Sequence, residues 1–250
     1  MSIGEIKALF DNASTDELPD LIKEYESDER SGVAACIKKA GKKLEALQKE
    51  IERTEKLKEF ERKYESLGYV CGIDEVGRGP LAGPVVTGAV ILPKDCRILY
   101  LNDSKQLSEK KREELYDVIM REAVATAIGF NGPERIDEIN ILQATYEAMR
   151  DAVSKLDPQP NVLLNDAVTI PGITIKQVPI IKGDAKSVSI ASASIIAKVT
   201  RDRLMVEYDK IYPEYGFAKN KGYGSAEHIE ALKKYGKTPI HRNSFITHFI

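Results

Sequence analysis

Two runs of β-favouring residues, 69–73 and 85–92, are separated only by Gly77, Arg78, Gly79, Pro80, Leu81, Ala82, Gly83 and Pro84 after a short polar stretch. A connection of that length leaves no room for a crossover helix, so the two strands should pair antiparallel. Its glycines and prolines also exclude a helix running through the region. Downstream the texture alternates. A helix starts at Ser108 with Lys111, Arg112, Glu113, Glu114 and Leu115, and a strand follows at 124–130. A second helix covers 136–156, strands lie at 161–164 and 173–178, a long helix spans 187–208, and a last helix spans 226–235. An early hairpin followed by αβ alternation predicts an α/β domain built on a mixed sheet.

Residues 1–68 read differently. Ile6, Leu9 and Phe10, then Leu18, Leu21, Ile22 and Tyr25, have the spacing of two short amphipathic helices on either side of a turn at Ser14, Thr15 and Asp16. After Gly32 a long helical pattern runs through Leu44, Leu47, Ile51, Leu57, Phe60, Tyr64 and Leu67 to Gly68, which suits a C-cap. The expected organisation is thus a small all-helical module over 1–68 and a larger α/β domain over 69–250. Charge is near balance, 37 basic against 39 acidic residues, but unevenly spread. Residues 30–63 carry eleven bases against six acids, and residues 176–242 thirteen against seven. Local basic surfaces inside a near-neutral protein suit phosphate tracking, although solvated helix faces would read the same way. At 42% apolar residues a disordered chain is excluded. No run approaches the ~18 apolar residues of a membrane span. Three cysteines without a CxxC spacing argue against a disulfide framework or a zinc knuckle, and a cytoplasmic protein is expected.

The carboxylates are more telling. Asp74-Glu75 closes an apolar strand and runs at once into the glycine turn. Burying two such groups without cations would cost several kcal/mol, so either the strand emerges into water or a metal or basic partner is needed. A second strand, Val162, Leu163 and Leu164, ends in Asn165-Asp166, and Asp184 follows Lys182-Gly183 after another β segment. Alone, Asp166 could cap a turn and Asp184 a helix. Together, three acidic positions at strand ends along one sheet edge suggest an oxygen-ligand site for Mg²⁺ or Mn²⁺. His228, His241 and His248 lack metal-ligand spacing and read as structural or surface residues.

The chain closely resembles the ribonuclease HII family over residues 69–250. The resemblance is carried by Gly72-Ile73-Asp74-Glu75-Val76-Gly77-Arg78-Gly79-Pro80-Leu81-Ala82-Gly83-Pro84-Val85 and by Asn102-Asp103-Ser104-Lys105-Gln106-Leu107-Ser108. Further matches are Lys182-Gly183-Asp184, the run from Ala191 through Ser194 and Lys198 to Asp202, Lys221-Gly222-Tyr223-Gly224, and His241-Arg242-Asn243-Ser244-Phe245. The Gly77-Arg78-Gly79 triplet favours this branch over the type 3 sister family. The helical module looks like an extension of some bacterial members.

The resemblance implies a ribonuclease H-like mixed sheet flanked by helices. It implies an endonuclease that hydrolyses the RNA strand of RNA/DNA hybrids and incises 5′ to single ribonucleotides in duplex DNA, leaving 5′-phosphate and 3′-OH ends. Ribonucleotide removal and primer removal are the matching roles. Asp74, Glu75, Asp166 and Asp184 are the implied catalytic carboxylates and metal ligands, holding two Mg²⁺ or Mn²⁺ ions for attack of water on the scissile phosphate. Gly77, Arg78, Gly79, Lys105, Lys186 and Tyr223 are the expected substrate contacts, with Tyr223 reading the RNA-to-DNA junction. Lys198 and Arg201 are further candidates for phosphate contact, or else parts of a solvated helix face. The stripe Ile190, Ser194 and Ala197 reads as helix packing. Two departures stand out: Ala167 where the family usually has glycine after the aspartate, and Gln106 where a second lysine is common. A monomer acting on RNA/DNA hybrid and ribonucleotide-containing duplex, away from membranes, is expected. A type 3 enzyme confined to longer hybrids, or a non-catalytic hybrid binder, are the alternatives.

Overall fold

The computed structural model describes residues 1–249. The chain divides into two compact units, Met1–Glu55 and the residues from Lys56 onward. The first is helical. Helix α1 (Ile3–Asn12) opens with a reciprocal cap: the Ser2 hydroxyl accepts from the Glu5 amide at 3.3 Å, and the Glu5 carboxylate accepts from the Ser2 amide at 2.7 Å. Helices α2 (Leu18–Tyr25) and α3 (Ser31–Leu57) follow, and Ile6, Phe10, Leu18, Val33 and Ala40 form the buried centre of this unit.

The periodicity predicts one helix continuing to Gly68, but it breaks at Lys58, and α4 (Glu59–Tyr64) starts anew. The cause is packing. Leu57 joins a cluster with Val90, Ile98 and Ile196, whereas Phe60 and Tyr64 turn onto Val70, Val162 and Ile190. The second compact unit thus includes α4.

Its sheet has five strands: β1 (Val70–Val76), β2 (Val85–Ile91), β3 (Ala125–Asn131), β4 (Val162–Asp166) and β5 (Lys176–Ile180), in the order β3-β2-β1-β4-β5. The first two pair antiparallel, as the short connection requires, and β2 pairs antiparallel with β3. The pairs β1–β4 and β4–β5 are parallel. Helix α5 (Glu109–Glu122), capped by Ser108, and helix α7 (Val188–Ile211) share a buried cluster with Val90 on one face. Helix α6 (Pro133–Ser154) covers the other face through Met149, Ala152 and Val153 against Ile73 and Ala89.

Helix α7 lies directly on the sheet backbone. A methyl group on Gly72 would come within 2.1 Å of the Ser189 carbonyl carbon, and one on Gly88 within 2.3 Å of the Ala193 oxygen. The bare backbone at both positions lets the helix seat that close. After α7 come α8 (Phe217–Asn220), α9 (Ala226–Tyr235) and α10 (Asn243–Ile246), packed around Leu81, Met205, Tyr215, Phe217 and Leu232. Among the described residues no helix is long and apolar enough to cross a membrane.

Candidate active site

Neighbouring residues of a regular, fully paired strand point to opposite faces, so a site shared by Asp74 and Glu75 depends on where β1 loses its pairing. Its parallel ladder with β4 stops at Ile73 opposite Asn165, while the antiparallel ladder with β2 runs on to Val76 opposite Val86. Asp74 and Glu75 therefore lie on a stretch that has lost its neighbour on one side, next to the end of β4 where Asp166 sits. Asp166 in turn accepts from the Gly183 amide at 2.7 Å, which draws the turn Gly183–Ala185, and with it Asp184, to the same edge.

Three of the carboxylates are held above their ordinary range. Burial, and then the charge of Glu75, push the Asp74 carboxyl well above the usual carboxylate range, with Asp166 adding to the rise and the Ser194 hydroxyl opposing it. Burial raises Glu75 as well, against the pull of Arg78, whose guanidinium stands 3.4 Å from Glu75 Oε1. Asp184 is raised by burial and by Asp103 and Asp166. No group of three or more His, Cys, Asp or Glu side chains among the described residues is arranged to hold a metal ion as it stands. Asp74 Oδ1 is engaged by the Glu75 amide at 2.8 Å, as Asp166 is by Gly183. The donor chemistry nevertheless fits a hard divalent cation. All four donors are carboxylates, burial and neighbouring acids hold Asp74, Glu75 and Asp184 above their ordinary range, and Glu75 Oε2 is buried with no hydrogen-bond partner.

The flanking loops are set by two arginines. Arg201, read from sequence as a candidate phosphate contact, is 0% exposed and cannot reach one. Its guanidinium donates to the carbonyls of Pro84, Lys221 and Ala82 at 2.9, 2.8 and 3.0 Å. Arg242, also 0% exposed, donates to those of Gly83, Arg78 and Gly77 at 3.0, 2.9 and 2.5 Å. Burial, and the neighbouring Arg201, bring Arg242 down to about 9. Together they gather five carbonyls of the β1–β2 connection and one of the Tyr223 loop. Lys198 is likewise spoken for, paired with Asp202 at 2.8 Å.

Tyr223 stands 44% exposed beside this connection, its ring 3.9 Å from where a side chain on Gly79 would begin. Its carbonyl is held by a relay. The Thr238 amide donates to His241 Nδ1 at 2.9 Å, which leaves the proton on His241 Nε2 to bond His228 Nε2 at 3.0 Å. His228 Nδ1 then donates to the Tyr223 carbonyl at 2.8 Å. His228 and His241 are thus structural, as expected, and His248 is exposed. Lys105 and Lys186 are exposed, and the charge of Lys105 couples to Asp74, Asp184 and Tyr223.

Residues 71–248 match the family described as Ribonuclease HII, and residues 2–65 match the Ribonuclease HII N-terminal domain. The chain belongs to the ribonuclease HII family. The ribonuclease HII of Lachnoclostridium phytofermentans is 66% identical over 222 residues, covering 89% of this chain and 87% of the relative. That of Clostridioides difficile is 51% identical over 251 residues, 100% of this chain and 98% of the relative. The crystal structure of ribonuclease H2 from Pyrococcus horikoshii superposes with a TM-score of 0.59 at 31% identity, covering 70% of this chain and 93% of that one.

Within this ribonuclease HII fold, sequence reasoning missed Ser194 and Arg242 as parts of the site and gave Arg201 a different role. Ser194 was assigned to packing; its hydroxyl meets Ser104 Oγ at 2.9 Å and opposes the rise of Asp74, tying the Lys105 turn to the carboxylates. One signal was available. Ser194 and Arg201 are seven residues apart, two turns of α7, and so share its sheet-facing stripe. Two polar residues on the apolar stripe of a buried helix ask for partners.

Proposed function

We propose that the chain is a divalent-metal-dependent endonuclease that hydrolyses RNA paired with DNA and incises 5′ to single ribonucleotides embedded in duplex DNA. The observation that supports this most is the meeting of Asp74, Glu75, Asp166 and Asp184 at one sheet edge, beside the Gly77-Arg78-Gly79 turn and an exposed Tyr223. These four carboxylates would hold Mg²⁺ or Mn²⁺. When bound, such ions supply Lewis-acid charge at a phosphate and a nucleophilic water near neutral pH. The chain's own residues do the rest. Glu75 is kept in place by Arg78, and Asp166 and the Asp184 turn brace each other. The glycines of the turn let main-chain groups approach a sugar closely, where the 2′-OH distinguishes RNA from DNA. The Tyr223 ring suits packing on the adjoining deoxyribose, and Lys105 and Lys186 suit phosphates on either side.

We read the enzyme as a monomer, and its three free cysteines suit a reducing cytoplasm. We assign α3 a role in holding the duplex, because its exposed Lys38, Lys42, Lys43 and Lys49 form a basic run. Replacing these four by Gln should raise KM and flatten the salt dependence of duplex binding, with kcat unchanged. Equal salt slopes for variant and parent would remove that role.

Cleavage mapping on duplex DNA carrying one ribonucleotide, with Mg²⁺ or Mn²⁺, tests the main reading. Incision on the 5′ side is expected, and Asp74→Asn should cost about 10²–10³-fold or more in kcat. No incision at a lone ribonucleotide, with cleavage only in longer hybrids, would point to a type 3 specificity instead.

A further inference from the structure

Glu61 is a buried carboxylate that the site described so far does not use. It lies on α4 between Phe60 and Tyr64, the residues that fasten this helix to Val70, Val162 and Ile190. Glu61 Oε1 accepts two hydrogen bonds from the start of α7, one from the Ser187 hydroxyl at 2.5 Å and one from the Ser189 amide at 3.0 Å. Ser187 is also the N-cap of α7, accepting from the Ile190 amide at 3.2 Å. A carboxylate at that end of a helix meets unpaired N–H groups and the positive end of the helix dipole. Beside it opens a cavity of about 340 Å³ lined by Glu61, Val70, Leu92, Val188 and Ser189. The seam between α4 and α7 is therefore not filled by side chains at this point, and the two bonds to Oε1 span it.

What Glu61 holds matters because of what precedes α7. Asp184 sits in the turn Gly183–Ala185, and the Ser187 amide closes back onto the Gly183 carbonyl at 2.9 Å. The turn is thus tied at both ends by carboxylates: at Gly183 by Asp166, at Ser187 by Glu61. We propose that Glu61 is a positioning residue for Asp184, fixing through Ser187 and Ser189 the turn that presents this carboxylate to the metal-binding edge. This deepens the function proposed above and rests on it for the role of Asp184. It also gives the end of the N-terminal family segment, which reaches residue 65, a part in the site.

The test compares Glu61→Ala, Glu61→Gln and Ser187→Ala in the full-length chain. Three quantities are read: kcat and KM on a single-ribonucleotide duplex, Mn²⁺ affinity by calorimetry without substrate, and hydrogen exchange of the Ser189 amide. Glu61→Ala should lower kcat about tenfold, as loss of an outer support of a metal ligand does. KM should stay within twofold, Mn²⁺ affinity should fall by a similar factor, and the Ser189 amide should lose protection. Glu61→Gln keeps an acceptor oxygen in the same place and should restore most of all three. Ser187→Ala, which removes only a hydroxyl, should fall between them and carries the test if Glu61→Ala does not fold. Wild-type values in both Glu61→Ala and Ser187→Ala would overturn the proposal, as would equal losses in the Ala and Gln variants of Glu61. If the parent enzyme cleaves nothing, the functional reading fails, while Mn²⁺ affinity and exchange still decide the part played by Glu61.

Discussion

Ala167 follows the carboxylate Asp166 with φ of 57°, in the left-handed region that penalises a side chain. The conformation is imposed from outside: the Ala167 amide donates to the Ile180 carbonyl at 3.0 Å, closing the end of the β4–β5 pair. Glycine relieves the clash but adds chain entropy to the unfolded state, so Ala167→Gly should stabilise by about 0.5–1 kcal/mol. Thermal unfolding should move up by roughly 1–4 °C, and kcat should stay within twofold. A lower midpoint would mean that the methyl group makes a contact worth more than the strain. At this scale the sequence was informative about which residue departs from pattern, since Asp166-Ala167 was visible as an anomaly. Its conformation was not, because it depends on a hydrogen bond to a residue thirteen positions away.

Among elements, the connection between β1 and β2 is the part where reading and structure agree and then separate. Its brevity and its glycines made the antiparallel pair legible, and the start of α5 at Ser108 and the whole of α9 were equally plain. What holds the connection was hidden. Long cationic side chains are mostly exposed, so Arg201 read as a phosphate-contacting or solvated group, and Arg242 only as part of a family motif. Only the tertiary fold reveals six main-chain carbonyls waiting for them. Breaking such a set strands buried acceptors, each costing about 1–3 kcal/mol. Arg242→Met, which fills much of the space without donating, should therefore destabilise by about 3 kcal/mol or more and lower the melting temperature by roughly 6–12 °C. A shift under about 2 °C would show that the carbonyls find other partners. Position 58 is the matching failure: the heptad-like pattern through residue 67 continued on paper, but Leu57, Phe60 and Tyr64 answer to different clusters, and the helix breaks between them.

At the scale of the molecule, acid should be felt through the His228–His241 relay. Burial, and then His228, hold His241 down to about 4, and burial lowers His228 as well. Unfolded, both would take up protons near pH 6.5. Between those limits the unfolded chain binds more protons, so stability is complete above about pH 6.5 and declines as pH falls toward 4. For His241 the loss amounts to about 3 kcal/mol. The raised carboxyls of Asp74, Glu75 and Asp184 act in the opposite sense, so the informative quantity is a difference between proteins. His241→Asn keeps an acceptor for Thr238 and does not titrate; its stability should fall less steeply than that of the parent between pH 6.5 and 4 in denaturant titrations. Parallel curves would remove His241 as the source. At this scale charge and periodicity mark the helical segment in the sequence, but not where its last turns are buried.

One consequence of the paired guanidiniums extends beyond stability. Five oxygens of the segment that skirts the carboxylates face inward, toward two buried guanidiniums. The negative poles of those peptide units are withdrawn from the rim. A polyanion arriving there meets a lip whose repulsive oxygens have been turned away, backed by a cationic foundation that solvent does not reach and added salt screens only weakly.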